Sequence, residues 1–318
     1  MENNIPEGYR VFKLPNSELI TQLDTHLYTG TPKQDFIVYV AEPFSWAVIA
    51  KKILSVFSEA IAKALEKAVE IVVGEIINAV LSIFIKANLD LSKIIEALLR
   101  DFSRILNDAL NENALREAKA DLRSIQNQMV FYKNSPESRK DSLNIIINES
   151  SKNLERLRSL DYAATPSYTL AASLNLSLNM EKYSISKSDG ELENCKILSD
   201  QFLKTINEFK TTLIEETRDR FSEVIKRSEY GPPRSGTLEN PTPPPSLILI
   251  WTYKLDGVDQ GSWPGKSSGK REAEATRERH INELTKEMLA KTIAPAFDIA
   301  QQAVSATSSL ETKNPPGA

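Results

Sequence analysis

The sequence predicts a mainly α-helical protein: a bundle of about seven helices around a neutral central helix. Apolar residues recur three and four positions apart through most of residues 46–305, which is helical spacing. The stretch Tyr162–Met180 contains no charged residue, whereas 26% of the chain is charged. Runs typical of β-strands occur only near the N-terminus and at 247–253. These observations predict a bundle with a small β element from the N-terminal segment and an insert near 247–253.

Composition excludes several classes of protein. Of the 318 residues, 41% are hydrophobic, enough for a sizeable core. The formal net charge is −4 with both signs mixed, so no basic surface predicts a nucleic-acid partner. The single cysteine, Cys195, rules out an intrachain disulfide, and His26 and His280 are each remote from another metal-binding type of residue. We therefore expect no metal site and no cofactor.

No catalytic motif is found, and we expect the protein not to be an enzyme. The run Gly261–Ser267 resembles a phosphate-binding loop but is one residue short, and Pro264 removes an N–H that such a loop would use. The acidic pair Glu215 and Glu216 lies on a charged helix face, where a solvated surface is the simpler interpretation.

Residues 1–45 form an N-terminal segment with two predicted strands, at 9–14 and 36–40, separated by turn residues that include Gly30 and Pro32. A change of composition near residue 45 suggests that this segment is a removable cover. No basic and apolar leader is present, which predicts a chain without a signal peptide that is made in the cytoplasm.

Helical periodicity predicts the bundle from residue 46 to 305. One apolar stripe runs from Ile53 to Ala68, whereas residues 71–85 are apolar on most faces, which predicts a buried helix there, with Glu75 near water. The pattern resumes from Leu91 to Tyr132 and again from Glu137 to Leu160, after a stop at Pro136.

The next helix is predicted to start at Pro166, because the first turn does not need its missing N–H. Its apolar positions are Leu170, Leu174, Leu176, Leu178 and Met180. Its intervening positions are polar but neutral: Ser173, Asn175, Ser177 and Asn179. Such a helix suits the centre of a bundle, and its length of roughly twenty residues is also near what a bilayer core requires.

The rest of the chain is predicted to hold a long helix up to Lys226, with Cys195 in its core stripe, and an insert at 228–270 that is rich in proline. The strand at 247–253 is expected to pair with the N-terminal strands, and Gly257–Gly269 is expected to be a loop. A final helix is predicted from about Arg271 to Ala306 with a kink at Pro295. Residues 306–318 are predicted to be a disordered tail.

This order of helices resembles the N-terminal pore-forming domain of the Cry-type insecticidal δ-endotoxins, a bundle of seven helices around a hydrophobic central helix. The resemblance covers about residues 46–305 and is best over the central helix, Pro166–Tyr183, with its Ala-Ser-Leu-Asn-Leu-Ser-Leu core. The matching segments are Ile94–Ser135 for the second and third helices, Glu137–Leu160 for the fourth, Glu191–Lys226 for the sixth and Arg279–Ile299 for the seventh.

The resemblance implies a toxin-like function in which a helical hairpin, about residues 137–183, leaves the bundle and inserts into a target-cell membrane. The residues that would face lipid are Leu170, Leu174, Leu176, Leu178 and Met180. The residues that would line water in a homo-oligomeric pore are Asn144, Asn148, Lys152 and Glu155. Action at a target membrane implies release or secretion by a non-classical route.

The family's two β-rich domains, which bind receptor and glycan, are not matched by this sequence, so we expect a separate receptor-binding protein as partner. The insert at 228–270 lies where the family has a short connection. The alternative hypothesis is a non-enzymatic helical interaction module: a toxin partner subunit, an antagonist or a scaffold.

Overall fold

A computed structural model describes residues 9–14, 36–41, 46–66, 71–86, 112–134, 140–230, 247–308 and 310. The chain divides into two compact units, residues 1–46 and 47–318. Within the described residues, eight α-helical segments are present, the last two joined into one continuous helix, together with small antiparallel sheets, so the predicted mainly α fold class is confirmed.

The N-terminal unit contains one antiparallel strand pair. Strand β1 is Tyr9–Leu14 and strand β2 is Phe36–Ala41. Tyr9 lies opposite Ala41 and Leu14 lies opposite Phe36. The turn residues Gly30 and Pro32, on which the prediction of two separate strands relied, lie outside the described residues.

Helices form most of the second unit. Their bounds are α1 Trp46–Leu65, α2 Glu75–Lys86, α3 Glu112–Lys133, α4 Lys140–Arg158, α5 Thr165–Ser186, α6 Asp189–Asp219, α7 Ser267–Met288 and α8 Ala294–Ser308. A π-helical turn, Leu289–Ile293, joins α7 to α8 as one continuous helix. A kink was predicted at this place. Pro295 has no N–H to donate to the preceding turn, so the regular helical hydrogen bonding is interrupted there. Helix α8 runs to Ser308 with Thr307 buried, so residues 306–308 are helical and not part of a disordered tail as predicted. Residues 87–111 and 311–318, for which helix and tail were predicted, lie outside the described residues.

Helix α5 lies at the centre of the bundle. It packs against α2, α4, α6 and α8, and every residue from Thr165 to Glu181 is buried. A short 3-10 turn, Asp161–Ala164, connects α4 to α5, and Pro166 stands in the first turn of α5, as the sequence predicts. The two helices therefore form a hairpin whose second arm is covered by the rest of the bundle.

The insert is a small β element. Strand β3 is Ile225–Tyr230, strand β4 is Leu247–Thr252, and a short pair follows with β5 at Lys254–Leu255 and β6 at Val258–Asp259. Strand β7, Trp263–Pro264, completes an antiparallel sheet in the order β3-β4-β7.

Three expectations about this region are wrong. The strand at 247–253 does not pair with the N-terminal strands, because β3 and β7 occupy its two sides. The helix predicted up to Lys226 ends at Asp219, because Phe221 turns into a small apolar core with Tyr253 and Ile281. The expected loop at Gly257–Gly269 contains β6 and β7, and α7 begins at Ser267 rather than at residue 271.

Aromatic packing fixes this insert on α7. The rings of Tyr253 and Trp263 stack with centroids 5.5 Å apart, and the Tyr253 hydroxyl is 2.6 Å from Nδ1 of His280. Arg277 of α7 donates from Nε to the carbonyl oxygen of Ser222 at 2.7 Å and from Nη2 to that of Phe221 at 3.1 Å. These bonds satisfy backbone carbonyls just after the end of α6.

Candidate membrane-insertion hairpin

The five apolar residues predicted to face lipid all lie in the core of the bundle. Each has at most 2% of its surface exposed. They are Leu170, Leu174, Leu176, Leu178 and Met180. In this conformation the bundle itself covers them. A helix without a charged face is stable in such an interior.

The four polar residues predicted to line water lie on the outer face of α4. All are exposed: Asn144, Asn148, Lys152 and Glu155. The hairpin thus carries both predicted sets, one on its buried arm and the other on its solvated arm.

A row of hydroxyl side chains runs along α5 at intervals of four residues, and we call it the hydroxyl ladder: Thr165, Thr169, Ser173 and Ser177. Thr169 donates to the carbonyl oxygen of Thr165 at 2.7 Å. Ser173 donates to that of Thr169 at 2.9 Å, and Ser177 to that of Ser173 at 3.0 Å. Because each hydroxyl is bonded one turn back along its own helix, the ladder needs neither water nor a neighbouring helix.

The two amides of α5 bond differently, because they reach neighbouring helices. Asn175 Nδ2 donates to Ser150 Oγ of α4 at 3.1 Å. Asn194 Nδ2 of α6 donates to Asn179 Oδ1 at 3.0 Å. Asn179 also donates to the carbonyl oxygen of Asn175 at 2.9 Å. One bond therefore lies within the hairpin, and another ties the hairpin to α6.

Glu181 is a buried acid that the sequence analysis did not single out. It follows directly after the neutral stretch and is fully buried. Its carboxylate accepts hydrogen bonds from the backbone N–H of Gly74, from the Tyr132 hydroxyl at 3.0 Å and from the backbone N–H of Ile77 at 3.4 Å. Gly74 precedes α2, so a negative charge stands at the positive end of that helix dipole.

Electrostatics at Glu181 reflect this burial. Desolvation raises the pKa of the Glu181 carboxyl, and the donors from Gly74, Tyr132 and Ile77 act in the opposite direction. Burial and the neighbouring carboxylate raise the pKa of the Tyr132 phenol, which therefore remains a donor at neutral pH. The sequence signal that could have identified this contact is a lone acid at the end of an otherwise neutral helix.

Glu75, by contrast, lies at the surface, as the sequence analysis predicts. Its carboxylate pairs with Lys63 and accepts from the backbone N–H of Val72 at 3.3 Å. The hydrogen bond from Lys63 lowers the pKa of Glu75. The pKa values of the two acids that flank the start of α2 are therefore shifted in opposite directions.

A cavity of about 320 Å³ opens between α4 and α6, above α5. Tyr168 and Asn175 of α5 are among its lining residues, together with Glu155 and Arg158 of α4 and Lys204 of α6. Arg158 is bonded to Glu208 of α6 at 2.8 Å, which links α4 to α6 beside the cavity. The hairpin and α6 are thus joined by at least two separate polar contacts, Arg158–Glu208 and Asn179–Asn194.

Among the described residues, no group of three or more His, Cys, Asp or Glu side chains is placed to hold a metal ion. No helix in the described ranges combines the length and the apolar character needed to cross a membrane. The chain matches no protein-family model, and no characterised protein shows significant similarity to it. The resemblance to the δ-endotoxin domain remains a prediction from the sequence.

Proposed function

We propose that this protein is a toxin-like pore former that stores the α4–α5 hairpin in a helical bundle and inserts it into a target-cell membrane. The observation that carries the proposal is the combination found in α5. Its neutral stretch is completely buried, and its hydroxyl ladder is bonded to its own backbone. The ladder hydroxyls can therefore keep their partners when the helix changes surroundings. Ser167 Oγ of the same helix is buried without a hydrogen-bond partner in the bundle.

The amides of α5 set a condition on insertion. An unpaired amide in hydrocarbon costs several kcal/mol, on the order of 4 to 8. Asn175 can keep Ser150 as its partner, because both residues belong to the hairpin. Asn179 loses Asn194 when the hairpin leaves α6 and must find a new partner. Asn179 of a second hairpin can supply the amide donor that Asn194 provided, so insertion is expected to produce a homo-oligomer.

The exposed face of α4 supplies the aqueous side of that oligomer. Asn144, Asn148, Lys152 and Glu155 are hydrated in the bundle, and ionisable groups in a membrane require a wet or paired setting. Facing one another around a central channel, they keep that hydration while Leu170 and the other apolar residues of α5 meet lipid.

Release of the hairpin requires breaking the contacts of Glu181 with Gly74 and Tyr132, as well as the Asn179–Asn194 bond. Glu181 is also the one carboxyl group in the buried stretch of α5. Its transfer to a membrane is easier in the neutral form, which its raised pKa favours. We therefore expect acidic conditions to increase insertion.

A pair of reversible cross-links tests the proposal, with dye release from lipid vesicles as the readout. In a Cys195→Ala background, Asn179→Cys with Asn194→Cys, bridged by a short reducible bis-thiol reagent, ties α5 to α6. Ser150→Cys with Asn175→Cys, bridged in the same way, ties α5 to α4 and serves as the matched control. Release should be blocked by the first bridge, restored by reductant, and retained with the second.

The proposal is contradicted if the bridge between α5 and α6 leaves release unchanged, or if the parent chain releases no dye at any pH, with or without brief trypsin treatment. The trypsin arm also tests whether residues 1–45 act as a removable cover, since the N-terminal sequence of the active product shows whether Met1 remains.

A second candidate function, a helical interaction module that serves as a partner subunit, antagonist or scaffold, is favoured by the surface of the insert. Leu247 is 62% exposed and Val258 is 64% exposed. The insert thus exposes large apolar side chains on two of its strands, and exposed apolar patches are typical of docking surfaces. Vesicles that stay intact, together with stable capture of a receptor-binding protein that is lost in Leu247→Ser with Val258→Ser, would favour this function.

A further inference from the structure

The outer edge of strand β3, which no described strand pairs with, carries a row of backbone groups with a defined direction. Strand β3 is the outer strand of the sheet β3-β4-β7, and five of its six residues are exposed. The backbone N–H of Gly265 donates to the carbonyl oxygen of Leu249, so Leu249 points its backbone groups toward β7. Backbone groups alternate in direction along a strand.

The register between β3 and β4 shows which residues of β3 point their backbone groups away from β4. Ser228 lies opposite Leu249, which is turned away from it, so Ser228 points its N–H and C=O outward. By the same alternation, Lys226 and Tyr230 also point outward, whereas Arg227 and Glu229 bond to β4. The edge thus offers three donors and three acceptors that no described residue pairs with.

We propose that this edge pairs with the same edge of a second copy of the chain, antiparallel and centred on Ser228. A two-fold axis through Ser228 places Lys226 opposite Tyr230 of the other copy, and Arg227 opposite Glu229. Ser228 pairs with Ser228 of the other copy, and Lys226 of each copy pairs with Tyr230 of the other. Each of these three pairs is hydrogen-bonded, which gives about six bonds in all. The result is an isologous dimer with one continuous sheet.

The order of charges selects both the partner and the register. Charged residues on an edge strand normally oppose pairing, but centring on Ser228 sets each Arg227 against a Glu229 and each Lys226 against an aromatic ring. Opposite charges and cation–aromatic pairs across strands are favourable. A shift of the axis to Arg227 or to Glu229 would set like charges against each other.

Side chains on the edge are available for these contacts. Tyr230 is 74% exposed, and Arg227 is bonded to Asp259 through Nη1 alone at 2.8 Å, so other guanidinium donors can reach a partner carboxylate. The dimer does not depend on pore formation, because β3 lies outside the α4–α5 hairpin.

Sedimentation or light scattering of the full chain tests the proposal over a range of concentrations. The parent chain should dimerise. Glu229→Arg sets an arginine against Arg227 of the other copy at both ends of the interface, so it should raise the dimer dissociation constant at least tenfold. Glu223→Arg makes the same charge change at an exposed position before the strand and should leave the dimer intact.

Cysteine cross-linking tests the register. A hydrogen-bonded antiparallel pair has its Cα atoms about 5.5 Å apart, within disulfide range, so Ser228→Cys should form a covalent dimer on mild oxidation. Glu229→Cys is the control, since its opposite residue is Arg227. The native Cys195 is buried and should not react. A monomeric parent chain, a Glu229→Arg dimer of parental affinity, or equal cross-linking at 228 and 229 would overturn the proposal.

Discussion

The Tyr132 hydroxyl of α3 donates a hydrogen bond of 3.0 Å to the Glu181 carboxylate of α5, inside the bundle. Both residues are fully buried. The same carboxylate accepts from the backbone N–H of Gly74 at the start of α2. Three helices therefore meet at one acid, and Glu181 holds the C-terminal part of the neutral helix where the bundle needs it.

Removing the donor should weaken this junction. Tyr132→Phe leaves the ring in place but deprives the carboxylate of one bond, so we expect the free energy of unfolding to fall by about 1–3 kcal/mol. Urea unfolding of the parent chain and of Tyr132→Phe measures this difference in the free energy of unfolding. A double-mutant cycle with Glu181→Gln isolates the contact, because the two single effects should not add. Additive effects would mean that the hydroxyl and the carboxylate do not interact in solution.

Glu181 also predicts a pH dependence. Because its pKa is raised in the folded state, the folded protein binds the proton more tightly than the unfolded chain. Its contribution is therefore most favourable below the ordinary glutamate pKa and is lost as the pH rises through the folded pKa. The difference in unfolding free energy between the parent chain and Glu181→Gln should decrease from pH 4 to pH 7.

Glu75 provides a control, because its contribution to stability should change with pH in the opposite direction. Its pKa is lowered by Lys63, so its contribution is present above the unfolded pKa and is lost as the pH falls. The difference between the parent chain and Glu75→Gln should therefore increase over the same pH range. If both acids give the same sign, the electrostatic description of one of them is wrong.

The sequence was sufficient to predict the central helix, and the reason is specific to its residues. A stretch with no charge from Tyr162 to Met180 has no face that needs water, so it suits the interior of the bundle. Pro166 in the first turn marked its start. The partners of Asn179 and Glu181 could not be predicted, because Asn194 and Tyr132 reach them from helices whose rotation is set by packing.

The insert shows where periodicity fails. Phe221 and Val224 continue the apolar spacing of α6, which predicts that they belong to that helix, yet they pack in the core around Tyr253. Local spacing cannot distinguish a helix stripe from a turn that enters a second core. The pairing of β4 was missed for a related reason: Ile225–Tyr230 contains three charged residues and does not alternate as a half-buried strand should.

The hydroxyl ladder and the amides of α5 should respond differently to substitution. Ser173→Ala removes a hydroxyl bonded only to the Thr169 carbonyl of its own helix, so we expect a change within about 1 kcal/mol. Asn175→Ala leaves a buried gap and removes the bond to Ser150 of α4, which should cost about 1–3 kcal/mol. Chemical unfolding of the two variants compares them directly. Equal losses would show that the ladder hydroxyls also hold the bundle together.

Two glycines in the first turns of helices form a matched pair. A Cβ at Gly269 of α7 would lie 2.7 Å from the carbonyl oxygen of Pro264 and 2.8 Å from that of Trp263, both backbone atoms. A Cβ at Gly190 of α6 would have its nearest neighbour, Ser188 Oγ, at 3.6 Å.

Gly269→Ala should therefore force β7 away from α7, lower the unfolding free energy by about 1–3 kcal/mol and change the fluorescence of Trp263. Gly190→Ala should be neutral or stabilising by up to about 1 kcal/mol, since alanine favours a helix. Thermal unfolding followed by tryptophan emission measures both effects. A Gly269→Ala protein with parental stability and emission would mean that β7 does not pack closely on α7 in solution.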